Sequence, residues 1–188
     1  PSFPGGPTTI AKAVANSSFG YVLGGAIDGG TTSGCWRLNP QNNQWTAIAS
    51  LPFTGNSNIA FSYNDNLYVF YDNLYEYNTV SNTWSMYQSM PDYGQLGYNA
   101  QNFVIGDIAY FVFANNDVVS WNFSNQTWTH LNNFPGMPRA LATAFSLNGK
   151  GYFGLGYFQT QNYANDLWEY NPNSDSWIQK SNLPSFPR

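Results

Sequence analysis

One unit, written four times, constrains this chain more than any other feature of its sequence. Trp45, Trp84, Trp128 and Trp177 are each followed, seven residues later, by a proline: Pro52, Pro91, Pro135 and Pro184. Seven residues before each Trp stands a large apolar side chain (Leu38, Tyr77, Trp121, Tyr170), and directly after it an asparagine (Asn39, Asn78, Asn122, Asn171). In the last copy the stretch between is Asn171-Pro172-Asn173-Ser174-Asp175-Ser176. Pro fixes φ while Asn, Ser and Asp hydrogen-bond their own backbone, so this is a turn joining two short aromatic strands. The Trp-to-Trp steps are 39, 44 and 49 residues. A period of that size makes each copy one supersecondary unit that must bury its faces on its neighbours.

The remainder of each copy is also β-patterned. Ile10 to Ala15, Gly20 to Gly25, Cys35 to Leu38 and Gln44 to Ile48 read as four strands of the first copy, with a Gly-rich loop over Ala26 to Gly34. The second copy gives Ile59 to Tyr63, Leu67 to Tyr71, Leu74 to Tyr77 and Thr83 to Tyr87, and the third Asn102 to Ile105, Ala109 to Phe113, Val118 to Asn122 and Thr127 to Leu131. The fourth gives Leu141 to Leu147, Gly151 to Gly156, Leu167 to Tyr170 and Ser176 to Gln179, its first pair joined by Asn148-Gly149. Asn-Gly between alternating apolar runs is the strongest short hairpin signal. No segment keeps a helical apolar period over three turns, so the expected class is all-β, four repeats of four antiparallel strands, over residues 1–51, 52–90, 91–134 and 135–184.

The motif Asn148-Gly149-Lys150-Gly151-Tyr152-Phe153-Gly154-Leu155-Gly156, with Asn165-Asp166-Leu167-Trp168-Glu169-Tyr170-Asn171-Pro172 and Trp177, resembles a kelch repeat of the galactose-oxidase-like β-propeller family. Tyr21, Leu23-Gly24-Gly25, Asn39-Pro40 and Trp45 match it in the first copy, whereas Tyr71-Asp72 and Ala114-Asn115 replace the glycine pair in the second and third. The resemblance implies blades of four strands packed face to face around a channel. Trp45, Trp84, Trp128 and Trp177, with Tyr77 and Tyr170, are then expected in the core between blades. Propellers of this family commonly have six or seven blades. Four copies allow either a small closed ring or part of a larger array, and the similar segments Pro1-Ser2-Phe3-Pro4 and Pro184-Ser185-Phe186-Pro187 favour the array.

Composition narrows the chemistry. Charged residues make up 9% of the chain, against roughly 25% in an average globular protein, so Asn, Ser, Thr, Gln and Tyr must build the surface. That balance points to a secreted or cell-surface protein. The net charge is −4 and the six basic residues are scattered, which argues against nucleic-acid binding. No apolar run is long enough for a membrane span. The lone Cys35 reads as a small buried apolar side chain.

A search for reactive constellations gives no catalytic residue, no metal site and no cofactor. His130 is the single histidine, so a multi-histidine metal site, including the copper centre of the oxidases that the resemblance evokes, cannot be assembled from this chain. Asp107, Asp166 and Asp175 stand at turns, where Asp serves its local backbone. The expected role is therefore non-catalytic: a binding or structural module whose loops, clustered at the ends of rigid sheets, meet a protein or glycan partner. Asp28, Tyr93, Arg139, Tyr157, Phe158 and Tyr163 are the candidate contact residues. Self-association end to end is a further expectation. The alternative is a carbohydrate-active epimerase or hydrolase using Asp28, Arg37, Glu169 or Arg139 in a channel.

Overall fold

In the computed structural model the described residues are 2–54, 59–92, 100–158 and 163–184. They form strands and turns, with no helix among them. The chain divides into two compact units, Pro1–Met90 and Pro91–Arg188.

The first unit holds two antiparallel sheets, each a meander in sequence order. One comprises β1 (Lys12–Ala15), β2 (Gly20–Ile27), β3 (Gly30–Asn39) and β4 (Gln44–Ile48). The other comprises β5 (Ile59–Tyr63), β6 (Asn66–Phe70), β7 (Leu74–Asn78) and β8 (Thr83–Gln88). The second unit holds β9 (Gln101–Ile105), β10 (Ile108–Val112), β11 (Val118–Asn122) and β12 (Thr127–Leu131) as one meander. Its other sheet orders β14 (Thr143–Leu147), β15 (Lys150–Gly154), β17 (Leu167–Asn171) and β18 (Ser176–Gln179), and a small ribbon pairs β13 (Arg139–Ala140) with β16 (Tyr157–Phe158). Each four-stranded sheet is drawn from one repeat of the sequence.

Local chemistry sets the hairpins. Asn64-Asp65 and Asn148-Gly149 both have positive φ at the two central positions, the geometry whose twist matches that of the flanking strands. Across the second and third strands, Gly20 pairs with Leu38, Leu67 with Tyr77, Ala109 with Trp121 and Gly151 with Tyr170. Side chains alternate between faces, so this shared register gives every sheet the same two faces. One carries Tyr21, Tyr68, Tyr110 or Tyr152. The other carries Leu38, Tyr77, Trp121 or Tyr170 together with the repeated Trp.

Within each unit the Trp-bearing face of the second sheet covers the Tyr-bearing face of the first. In the first unit Leu67, Val69 and Tyr77 bury Tyr21, Leu23 and Cys35, with Leu51 wedged beside them. In the second, Phe153 and Tyr170 meet Phe103, Tyr110, Val112 and Val118, with Phe134 in the place of Leu51. Tyr77 and Tyr170 lie at the centres of these cores. The four repeated Trp side chains are half-buried and stand at the rims. Trp84 donates from Nε1 to the Ala49 carbonyl at 2.9 Å, and Trp177 sets its ring edge-on to Phe103 and Phe134. Trp45 meets Phe3 at 5.1 Å, and Trp128 rests on Trp121 of its own sheet.

The residue two before each Trp shares one backbone conformation, and in Asn82 and Asp175 it has a second task. Asn43, Asn82, Gln126 and Asp175 all adopt the left-handed conformation. Asn82 Oδ1 accepts the Ala49 amide at 2.8 Å and the Tyr77 hydroxyl at 2.8 Å. Asp175 accepts the Asn132 amide at 2.9 Å and the Tyr170 hydroxyl at 2.8 Å. Ala49 and Asn132 each stand four residues after the Trp of the preceding sheet, so the turn of one sheet fastens the exit of the one before it.

Three expectations need correction. The stretch Ala26 to Gly34 is an extension of β2 and β3 closed by a tight turn at Asp28-Gly29, not a loop. Ile10 lies outside β1 and takes a left-handed φ of 51°. Asp107, Asp166 and Asp175 do more than serve local turns: they accept from Ser124, from Arg139 and from Asn132 respectively.

Candidate functional site: an aromatic loop platform on an ion-pair anchor

The connection into the last sheet and the loop leaving β15 cross each other, and this crossing builds the most developed surface among the described residues. The chain leaves β12 through Phe134, whose ring is T-shaped against Phe153 and Trp168, and enters β13 at Arg139. After β15 it turns through Leu155 (φ 58°) and Gly156 (φ 92°), then returns as β16 beside β13. A Cβ at Gly156 would stand 2.6 Å from the Ala140 carbonyl oxygen and 2.9 Å from the Ala142 amide, so only glycine lets the two segments touch. Gly25 does the same in the first unit, where Thr9 exchanges two backbone hydrogen bonds with Ala26. The second and third repeats lack the glycine pair, and tight turns take its place: the Tyr71 amide bonds the Asn73 carbonyl, and the Phe113 amide the Asp117 carbonyl.

Arg139 is 3% exposed and is the anchor of this crossing. Its guanidinium forks onto both carboxylate oxygens of Asp166, through Nη1 and, at 2.9 Å, through Nη2. Nε donates to the Met137 carbonyl at 3.0 Å and Nη1 to the Leu155 carbonyl at 3.2 Å. The flat cation lies 5.0 Å from the ring centres of both Phe134 and Phe158. Burial by itself would raise the Asp166 pKa, but hydrogen bonds from Arg139 and the Trp168 indole more than offset it, and the carboxyl lies below its ordinary value. Four of the five guanidinium N–H groups are used in this way, which places Arg139, expected among the contact residues, as a buried anchor beneath the crossing.

The other expected residues separate into two groups. Phe158 faces inward over Arg139, while Tyr157 sets its ring 5.7 Å from Tyr163. Tyr157 also pairs with Tyr163 through an isolated β-bridge. Tyr163 is 68% exposed, and around the same crossing Leu141 is 69% and Met137 55% exposed. Leu141 has a left-handed φ of 54°, an uncommon conformation that a bulky side chain adopts at a cost. Asp28 stands apart at the exposed tip between β2 and β3, next to Ile27, with Ile10 (φ 51°) at the equivalent of Leu141. Tyr93 lies outside the described residues.

Sequence reasoning missed Ile10, Leu141 and the role of Asp166. The signal was the glycine pair itself, which marks where a second segment must pass close by.

The side chains named for catalysis have other occupations. Glu169 accepts from Tyr152 at 2.9 Å and pairs with Lys180 at 3.2 Å, on a sheet face and away from Arg139. Arg37 lies over the Phe19 ring at 4.6 Å. His130 Nε2 lies 3.9 Å from an Asp117 carboxylate oxygen. No group of three His, Cys, Asp or Glu residues able to hold a metal occurs among the described residues.

No known family profile matches the sequence, and no curated protein does. Among solved structures the chain is similar to that of YjhT, with a TM-score of 0.82 at 18% identity, over 97% of this chain and 73% of that one. The likeness is one of fold. Together with the four repeated sheets it defines an all-β, four-bladed propeller.

Proposed function

We propose that this propeller is a non-catalytic binding module, kelch-like in its repeat, that presents the Tyr157–Tyr163 platform to an uncharged partner, a glycan or a neutral protein surface. The observation that carries the reading is the contrast between a rigid base and an exposed apolar top. Arg139 and Asp166 fix the crossing from below, and Tyr163, Leu141 and Met137 remain open above it. Exposed aromatic and aliphatic groups on a stiff support lose little side-chain entropy on binding, and tyrosine offers both a face for stacking and a hydroxyl for hydrogen bonding. The titratable groups of the crossing are already consumed by one another, which supports binding rather than acid–base chemistry. The low charge of the chain supports a secreted or cell-surface setting.

The test is titration of the protein with a panel of neutral polysaccharides and uncharged peptides, read by calorimetry. The double variant Tyr157→Ala/Tyr163→Ala should lose at least about tenfold in affinity for any ligand found while melting as the wild type does. Undiminished binding by that variant would overturn the assignment of the platform.

A further inference from the structure

We propose that the turn between β6 and β7 binds a guanidinium group, the arginine side chain of a basic peptide segment, on the open side of Tyr71 and the Oδ2 atom of Asp72. Every residue of this site belongs to the first unit. The turn is tight: the Tyr71 amide donates to the Asn73 carbonyl at 3.1 Å, and Tyr71 leaves the strand 41% exposed. Phe53, in the connection into this sheet, supports it. The Phe53 ring stacks on Tyr71 with centres 4.5 Å apart and planes 10° from parallel, and it packs in turn on the core of the unit. Tyr75 leans on the same Phe53 ring at 5.2 Å. Phe53 thus fills one face of Tyr71, and among the described residues no other ring or cation meets it.

Asp72 supplies the charge. Its Oδ1 accepts from the Asn73 amide at 2.8 Å and from the Tyr75 hydroxyl at 3.0 Å, which ties the carboxylate to the aromatic cluster. Its Oδ2 accepts nothing among the described residues, and none of the ion pairs among them involves Asp72. The two basic side chains of this unit stand elsewhere: Lys12 is in β1, and Arg37 lies over Phe19 at 4.6 Å.

The combination is confined to this sheet. Counted from the equivalent paired positions Gly20, Leu67, Ala109 and Gly151, Asp72 falls with Gly25, Ala114 and Gly156, whose side chains are a hydrogen or a methyl group. Tyr71 falls with Gly24, Phe113 and Leu155, and Phe113 is only 4% exposed.

The second unit shows what such a set of groups holds. There the Asp166 carboxylate accepts the Arg139 fork, and the rings of Phe134 and Phe158 lie 5.0 Å from the guanidinium carbon. The β6–β7 turn offers a carboxylate and rings without the cation. A flat guanidinium can lie over a tyrosine ring while an N–H reaches the adjacent carboxylate, a geometry that a compact ammonium cannot match. An exposed ion pair alone contributes little, so the ring and the carboxylate must act together. The net charge of −4 draws a basic segment toward the chain. The site differs in chemistry from the Tyr157–Tyr163 platform, whose partner is uncharged.

The test is an NMR titration of the full chain with an acetylated, amidated peptide that alternates glycine and arginine, beside peptides with lysine or glutamine in place of arginine. The arginine peptide should shift the amides of Tyr71, Asp72 and Asn73, and should bind several-fold more weakly as salt rises from about 20 mM to about 200 mM. The lysine peptide should bind less tightly, and the glutamine peptide should leave those amides in place. Asp72→Asn keeps the acceptor for Asn73 and Tyr75 but removes the charge, and Tyr71→Leu keeps a cover on Phe53 but removes the aromatic face. Each should weaken binding of the arginine peptide at least about threefold, while Tyr157→Ala/Tyr163→Ala binds it as the wild type does. Circular dichroism checks folding, and Asp72→Asn decides the matter alone if Tyr71→Leu unfolds. Amides of the turn that stay in place, a lysine or glutamine peptide that binds as well as the arginine peptide, or undiminished binding by Asp72→Asn would overturn the proposal.

Discussion

The two units solve one packing problem with different chemistry. In the first, the core between sheets is mostly aliphatic, with Leu23, Leu51, Leu67, Val69 and Cys35 around Tyr21 and Tyr77, and the turn that fastens it is the neutral Asn82. In the second the core is mostly aromatic, with Phe103, Phe134, Phe153, Tyr110 and Tyr170, and the turn residue is the acid Asp175. The second unit also contains a buried ion pair at its loop crossing, where the first has only the contact of Thr9 with Ala26. What persists is position rather than residue type: a left-handed residue two before each Trp, which as Asn82 and as Asp175 accepts an amide of the preceding sheet, and a bulky side chain six residues after it. The geometry of the repeat therefore resides in backbone and hydrogen bonds, and the apolar filling is interchangeable.

The largest difference between the units should appear when the ion pair is broken. Arg139→Met leaves Asp166 without its partner in a largely dry site, and should cost about 3–5 kcal/mol of unfolding free energy in chemical denaturation. No comparable single charge exists to be removed from the first unit's crossing. A loss below about 1 kcal/mol would mean that water reaches the site. Next come the wedges. Phe134→Ala should cost about 3–5 kcal/mol and Leu51→Ala about 2–5, with the aromatic position the more sensitive because three rings and the Arg139 guanidinium lean on it. Equal losses at the two sites would show the cores to be equivalent after all.

A smaller effect is expected from pH. The Asp166 pKa is depressed in the folded protein, so its contribution is complete above the unfolded carboxylate value of about 3.9 and is lost as pH falls through the lower folded value. Acid should therefore loosen the loop crossing of the second unit, and in Arg139→Met that part of the acid sensitivity should vanish. Identical acid profiles for wild type and variant would refute the coupling. The smallest effect concerns Cys35. Burial pushes its thiol up to about 11, so iodoacetamide at neutral pH should label it only as fast as the first unit opens. Rapid labelling would show that this core is not closed.

Much of the fold was legible because the informative residues are punctuation. Trp, Pro and Asn at fixed offsets located the third and fourth strands of every repeat, and Asn148-Gly149 located a hairpin to the residue. The long β2–β3 arm was not legible, since Thr31, Thr32, Ser33 and Gly34 suit a loop by composition, and Thr31 and Thr32 pair as a strand with Ala26 and Gly25 across a register shift. The site was less legible than the fold. Arg139 looked like a contact residue because it lies in a connection between repeats, where binding residues usually sit. Its carboxylate partner is 27 residues away in sequence, and no local pattern announces that pairing. Tyr157 and Tyr163 were recognisable as loop aromatics, but the inward turn of Phe158 between them depends on where the cation lies.

Asn82 and Asp175 each fasten the second sheet of their unit to the first, and hydrogen exchange by NMR tests this most directly. In the wild type the amides of Ala49 and Asn132 should be protected, and Asn82→Ala should release Ala49 while leaving Asn132 slow. If Ala49 stays as protected in Asn82→Ala as in the wild type, or if Asn132 is released with it, the fastening is not where the account places it.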